Sequence, residues 1–286
     1  MKKHIQSLYH FLSPKFQTIH LDYPVHAVPR YGHGKTAHSL LEKIISANND
    51  IYQNHLEGFL SYTEQVLSIR KTEDETNTKQ PVWNNGFFPG LDIVGLYGMI
   101  ARYKPKLYIE IGSGNSTKVA RKSITEQNTG TKITSIDPFP RADIDALSDE
   151  VMRIPFENIK DNTFITESLH ENDILFIDNS HRAFPNSDVT ICFLELLPNL
   201  RKGVIVHIHD IYLPYDYPQF MCDRYYNEQY LLAAFLLANP DKFKTILPNY
   251  YISEDRKLSE ILKPLWNHSE LQGVEKHGGS FWLRIE

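Results

Sequence analysis

Tyr108-Ile-Glu-Ile-Gly-Ser-Gly-Asn-Ser-Thr117 is the stretch whose reading decides the fold. An apolar run, residues 106–111, meets two glycines within three positions and then a Ser/Thr pair, which reads as strand, tight turn and helix start. Gly112 and Gly114 let a backbone approach a ligand closely, and the helix beyond presents free amides, so the segment suits a nucleotide-like ligand. A plain strand-to-helix turn would use the same residues. The dinucleotide fingerprint G-x-G-x-x-G is left incomplete because Thr117 takes the third glycine position, which weighs against a nicotinamide cofactor.

Outward from this turn the pattern alternates. A helix over 92–103 must end near Pro105, and a helix over 116–127 leads to a strand at 132–136. Strands follow near 151–154 and 173–177, then a helix over 187–197 and a strand at 203–209. A helix at 227–238, a strand at 243–247, a polar helix around 255–262 and a strand at 280–285 close the chain. Strands separated by helices predict an α/β, Rossmann-like fold whose mostly parallel sheet is covered on both faces, with ligands at the carboxyl ends of the strands. Before it, residues 1–37 carry Pro14, Pro24 and Pro29 and read as an irregular arm. Residues 39–70 have helical spacing, and 71–80 form a polar loop. This divides the chain into an arm and helical cap (1–80) and a main domain (81–286).

With 286 residues and 41% hydrophobic composition the chain can bury one substantial core. A formal net charge of -5 argues against nucleic acid as a partner, because phosphate neutralisation needs clustered Lys and Arg. No apolar stretch approaches the roughly 18 to 20 residues that span a bilayer, and the start lacks a signal-like apolar region. Cys192 and Cys222 have no partner at metal-like spacing, so both thiols read as structural and a reduced, cytoplasmic setting is expected.

Asp137 follows the second strand directly, in Thr134-Ser-Ile-Asp-Pro-Phe139, placed to accept hydrogen bonds from both ribose hydroxyls of a nucleoside. Together with Asn172-Asp-Ile-Leu-Phe-Ile-Asp-Asn-Ser-His181 and Gly203-Val-Ile-Val-His-Ile-His-Asp-Ile211, these segments resemble the class I S-adenosylmethionine-dependent methyltransferases. The likeness is greatest to a bacterial branch whose fourth strand ends in Ile-Asp-x-x-His and whose fifth ends in His-x-His-Asp-Ile. It runs from about Trp83 to the C-terminus and includes Tyr226-Asn-Glu-Gln-Tyr230 and Gly279-Ser-Phe-Trp-Leu283. The resemblance implies a seven-stranded sheet with six parallel strands and an antiparallel last one. It also implies S-adenosylmethionine as cofactor, with contacts at Glu110, Gly112, Gly114 and Asp137. Ser113, Asn115, Ser116 and Asp178 complete the expected cofactor-binding set, although Asn115 and Ser116 replace the third glycine of many members.

Adjacent parallel strands would bring Asp178 and His181 beside His207, His209 and Asp210. Strand alternation puts His207 and His209 on one face and Asp210 on the other, and His207 reads as packing. Similarity to metal-dependent O-methyltransferases implies that Asp178, His209 and Asp210 hold Mg²⁺ or another divalent cation, with His181 as general base and Asp178 in the catalytic set. An ion-pair cluster that shapes loops is the plainer reading of the same residues. His209 stands where relatives carry an acid, and imidazole is a poorer Mg²⁺ ligand than carboxylate. Without a metal, His181 still serves as base beside a hydroxyl. The expected reaction is therefore O-methylation of a small-molecule or glycan acceptor, with a homo-oligomer left open. Two alternatives stand beside it: an inactive nucleoside-binding scaffold, and a metal-dependent hydroxylase-like relative.

Overall fold

The computed structural model describes residues 8–14, 17–140 and 142–286. Helices α1 (Ser39–Ser46), α2 (Asn49–Phe59) and α3 (Thr63–Leu67) lie in the segment read from the sequence as a cap. The polar stretch after them is bracketed by a short parallel pair, β1 (Arg70–Lys71) and β2 (Val82–Trp83). Helix α4 (Gly90–Tyr103) stops at Lys104, which turns left-handed at φ 48 immediately before Pro105. Then come β3 (Leu107–Ile111), α5 (Asn115–Glu126), β4 (Lys132–Ile136) and β5 (Glu150–Met152). The chain continues through α6 (Thr163–Ser168), β6 (Ile174–Ile177), α7 (Asp188–Ile191) and β7 (Ile205–Ile208). Last are α8 (Gln219–Cys222), α9 (Glu228–Ala238), β8 (Phe243–Pro248), α10 (Asn249–Glu254), α11 (Leu258–Ile261), α12 (Lys263–Trp266) and β9 (Phe281–Ile285).

The main sheet runs β5-β4-β3-β6-β7-β9-β8. Neighbours from β5 to β7 pair parallel, and β9 is antiparallel to both β7 and β8. Six strands therefore point one way and β9 the other, in the mixed Rossmann-like α/β arrangement expected. Chain order reverses between β3 and β6, so a crevice opens at the carboxyl ends of those two strands. The strands are near-continuous apolar runs because both faces are covered: Ile174, Leu175, Phe176 and Ile177 of β6 are all fully buried. Cap and sheet share this core. Leu41, Ile45, Tyr52, Leu56 and Phe59 belong to the same buried cluster, and a Cβ on Gly98 of α4 would lie 2.2 Å from the Phe59 ring.

Three expectations change. The helix over 187–197 is one turn of α-helix, then a π-turn at Cys192–Leu196 and a 3₁₀ turn at Leu197–Asn199, where Pro198 lacks the N–H that would continue an α-helical ladder. The polar helix at 255–262 is replaced by the short α10, α11 and α12. The strand at 203–209 ends at Ile208, a shift with consequences for the site. Among the described residues, no helix is long and apolar enough to cross a membrane.

Candidate functional site

The turn after β3 is tight for a specific reason. Gly112 has φ 86, and a Cβ there would fall 1.8 Å from the carbonyl oxygen of Asp178 at the end of β6. This contact joins the turn to the neighbouring strand at the point where the sheet reverses. At Gly114 the opposite holds: a Cβ meets nothing within 4 Å, so a side chain would project into open space above the turn. Asp137, after β4, accepts from the Ser113 N–H at 2.9 Å and the Phe139 N–H at 2.8 Å. Glu110 lies underneath. It is fully buried, accepts from the Thr117 hydroxyl at 2.6 Å and from the Ser135 hydroxyl, and burial pushes its carboxyl up to about 8. It braces the turn from below and is not among the residues that line the cavities beside it.

A cavity of about 440 Å³ is lined by Gly112, Ser113, Asp137, Asp178, Asn179 and His181, among others. A second, of about 510 Å³, extends over Ser113, Gly114, Asn115, Ser116 and Lys118 towards Phe87 and Phe88. A third, of about 350 Å³, is bounded by Asp178, His181, His209, Asp210, Tyr212 and Tyr226. Asp178 borders all three. The structure thus brings together every residue expected in the cofactor and acceptor sites except Glu110.

Strand alternation does not set the far side of this site. Since β7 ends at Ile208, Asp210 is free to take φ 55, and its carboxylate turns back towards His209 and His181 instead of to the opposite face. His181 is itself left-handed, at φ 61. Non-glycine residues at positive φ are uncommon, and two of them converge here. His207, in β7, lies flat on Trp282 with ring centroids 3.8 Å apart and pairs with the Ser280 hydroxyl at 2.7 Å, so it is a packing residue. Burial and the neighbouring His209 hold its ring below its ordinary range.

Each of the two site imidazoles is gripped from behind by a buried carboxylate and faces Asp178 and Asp210 in front. His181 Nδ1 donates to Glu228 Oε1 at 2.5 Å, and its Nε2 stands 3.5 Å from Asp178 and 3.6 Å from Asp210. His209 Nε2 is 3.4 Å from Asp92, and its Nδ1 is 3.5 Å from Asp178 and 3.7 Å from Asp210. Burial alone would lower both histidines. For His181 the nearby Glu228, Asp210 and Asp178 outweigh it and raise the ring to about 9; for His209, Asp210, Asp178 and Asp92 push it well up. Asp92, in the first turn of α4, is fully buried and also accepts from the Gly279 and Ser280 amides and from Asn249. Sequence reading missed Asp92, which sits in an apolar helix far from every motif, and placed Glu228 within a motif without pairing it to His181.

The expected metal ligands Asp178, His209 and Asp210 do come together. However, among the described residues no group of three or more His, Cys, Asp or Glu is disposed to hold a metal ion. Both ring nitrogens of His209 are engaged by carboxylates, Nε2 by Asp92 at 3.4 Å and Nδ1 by Asp178 at 3.5 Å and Asp210 at 3.7 Å, so the ring pairs with these acids instead of converging with them on a common centre.

Residues 109–211 match the family model described as Methyltransferase domain. Residues 109–211 therefore form a methyltransferase domain. Among solved structures, this chain is similar to cmcI-N160 SAH, at 13% identity and a TM-score of 0.37, over 69% of this chain and 77% of that one. It is also similar to the SAH-bound Podospora anserina methyltransferase PaMTH1, at 15% identity and a TM-score of 0.40, over 87% and 96% of the two chains. At these scores neither fixes a residue correspondence. No curated protein matches the sequence.

The residues of the turn fit the cofactor. Asp137 lies at the tip of β4 with lone pairs left for ribose hydroxyls, the start of α5 offers backbone amides, and Gly114 keeps the space above the turn clear.

Proposed function

We propose that the methyltransferase methylates a hydroxyl oxygen of a small-molecule or sugar acceptor, with His181 as general base. The observation that carries this reading is that Asp178 and His181 line both the cavity beside Asp137 and the cavity bounded by His209, Asp210 and Tyr226. A group passing between two bound molecules must cross at that junction. When bound, the cofactor supplies an electrophilic methyl on a sulfonium. The protein's own task is then to hold the acceptor oxygen in line with it, exclude water and take one proton. His181 Nε2, facing the acceptor cavity, takes that proton as the oxygen bonds to carbon. Asp178 and Asp210 stabilise the imidazolium so formed, and their negative charge favours a cationic sulfonium at the junction.

The test is a screen of hydroxyl-bearing compounds, including catechols, phenols, monosaccharides and nucleotide sugars, by S-adenosylhomocysteine release. Turnover on a hydroxyl substrate that disappears in His181→Ala, with S-adenosylhomocysteine affinity unchanged, supports the proposal. Turnover that survives His181→Ala removes the general base. Methylation found only on nitrogen or carbon acceptors overturns the O-methyl assignment.

A further inference from the structure

His181 lies on the loop after β6, in a left-handed conformation, with Asp178 of the same loop 3.5 Å from its Nε2. Orientation comes from the start of α9, in another part of the chain. The Tyr226 ring stacks on the imidazole with centroids 4.6 Å apart and planes 25° apart. The Asn227 N–H donates to the His181 carbonyl at 3.0 Å, and the Asn227 side-chain oxygen accepts from the Ala183 N–H at 2.7 Å, so the loop backbone is tied twice. Glu228 then takes the ring nitrogen itself, at 2.5 Å. Three consecutive residues thus hold the ring face, the backbone and Nδ1.

A helix cap is the plain alternative for an acid in a first turn. It does not describe Glu228. The residue is 1% exposed, no amide of α9 donates to its carboxylate, and Oε2 has no hydrogen-bond partner. A carboxylate taken out of water in this way is costly unless strongly paired, and the pair it makes is with His181. Because a carboxylate only accepts, the proton of a singly protonated imidazole must sit on Nδ1, which leaves the Nε2 lone pair towards Asp178, Asp210 and the acceptor cavity.

We propose that Glu228 is a positioning residue that fixes the His181 ring and its tautomer so that Nε2 faces the acceptor. This rests on the reading of His181 as the base. It assigns Glu228 a task of the kind a buried aspartate performs for the histidine of a serine protease, where loss of the correct tautomer costs about 10⁴ in rate.

The experiment compares Glu228→Asp, Glu228→Gln and Glu228→Ala with His181→Ala in the full-length enzyme, on the best hydroxyl substrate of the screen. Turnover, acceptor KM, S-adenosylhomocysteine affinity and thermal midpoint are measured for each. Proton NMR adds the far-downfield Nδ1–H resonance, assigned by its absence in His181→Asn. Expected are a kcat reduced roughly 10²-fold or more in the Gln and Ala variants, within the range of general base catalysis, with KM and cofactor affinity within about threefold. The Asp variant, which keeps the charge, should recover part of the rate, and the downfield resonance should vanish in Gln and Ala. Wild-type kcat in Glu228→Gln beside an inactive His181→Ala would overturn the positioning role and leave the base intact. A rate loss that follows the thermal midpoint across the three variants would overturn it in favour of a structural role. An active His181→Ala would instead refute the reading of the base.

Discussion

Gly112→Ala probes the junction on which the site is built. Alanine at φ 86 sits where L-residues are disfavoured, at a cost of about 1 to 2 kcal/mol. Its Cβ would also begin 1.8 Å from the Asp178 carbonyl oxygen. Relief to an ordinary separation requires a movement of about 1.4 Å between β3 and β6, and such overpacking costs about 1 to 3 kcal/mol. Both strands lie in the middle of the sheet, and Gly112 N–H also donates to Ile136 O at 2.9 Å, so the movement cannot be absorbed in a loop. The combined destabilisation, roughly 2 to 5 kcal/mol, should lower the thermal midpoint by roughly 4 to 20 °C in a chain of this size. Calorimetry or dye-monitored melting measures it, and titration with S-adenosylhomocysteine reads the site. Gly114→Ala is the control, because its Cβ meets nothing within 4 Å. It should melt within about 1 to 2 °C of wild type, as unstrained surface changes do, while weakening S-adenosylhomocysteine binding. If Gly112→Ala melted like wild type and bound normally, the tight apposition of Gly112 and Asp178 would be wrong.

Asp137→Ala should leave the melting temperature near wild type and weaken S-adenosylhomocysteine at least about tenfold, the effect of a lost charged hydrogen-bond acceptor; unchanged affinity in a calorimetric titration would remove Asp137 from the cofactor site. The groups facing the His181 ring are Glu228, Asp178, Asp210 and Tyr226, and with its ring raised to about 9 the neutral, proton-accepting form grows as pH rises, so kcat should climb through a midpoint near pH 9 towards a plateau above it. A profile that is flat from pH 6 to 9 would contradict this. The same raised ring stabilises the fold most below its unfolded value near 6.5 and loses that contribution as pH passes through about 9; the melting temperature of wild type should therefore fall over this window more than that of His181→Gln. Chelation followed by desalting should leave turnover unchanged, and loss restored specifically by Mg²⁺ would return Asp178, His209 and Asp210 to the role of ligands.

Most of the fold was legible. Apolar runs bounded by glycine and proline marked each strand of the main sheet to within about three residues, and helical spacing between them marked α4, α5 and α9. The short helices after β8 and the broken helix before β7 were less so, because Pro198 and the polar 255–262 segment act through which neighbours they pack against.

Within the site, Gly112, Gly114, Asp137, Asp178 and His181 were identifiable because a turn that needs positive φ, and a polar group at a strand tip, are local facts written in a few consecutive residues. The direction of Asp210 was not, since alternation continues only while the strand does, and where β7 stops depends on its pairing with β6 and β9. Nor was the partnership of His181 with Glu228, 47 residues away, or of His209 with Asp92 on a helix that precedes the whole sheet. Sequence alone determined which chemical groups stand at the ends of which strands. Only the tertiary structure decided which carboxylate grips which imidazole, because burial and convergence are properties of the packed sheet and its covering helices, and no short stretch of chain encodes them.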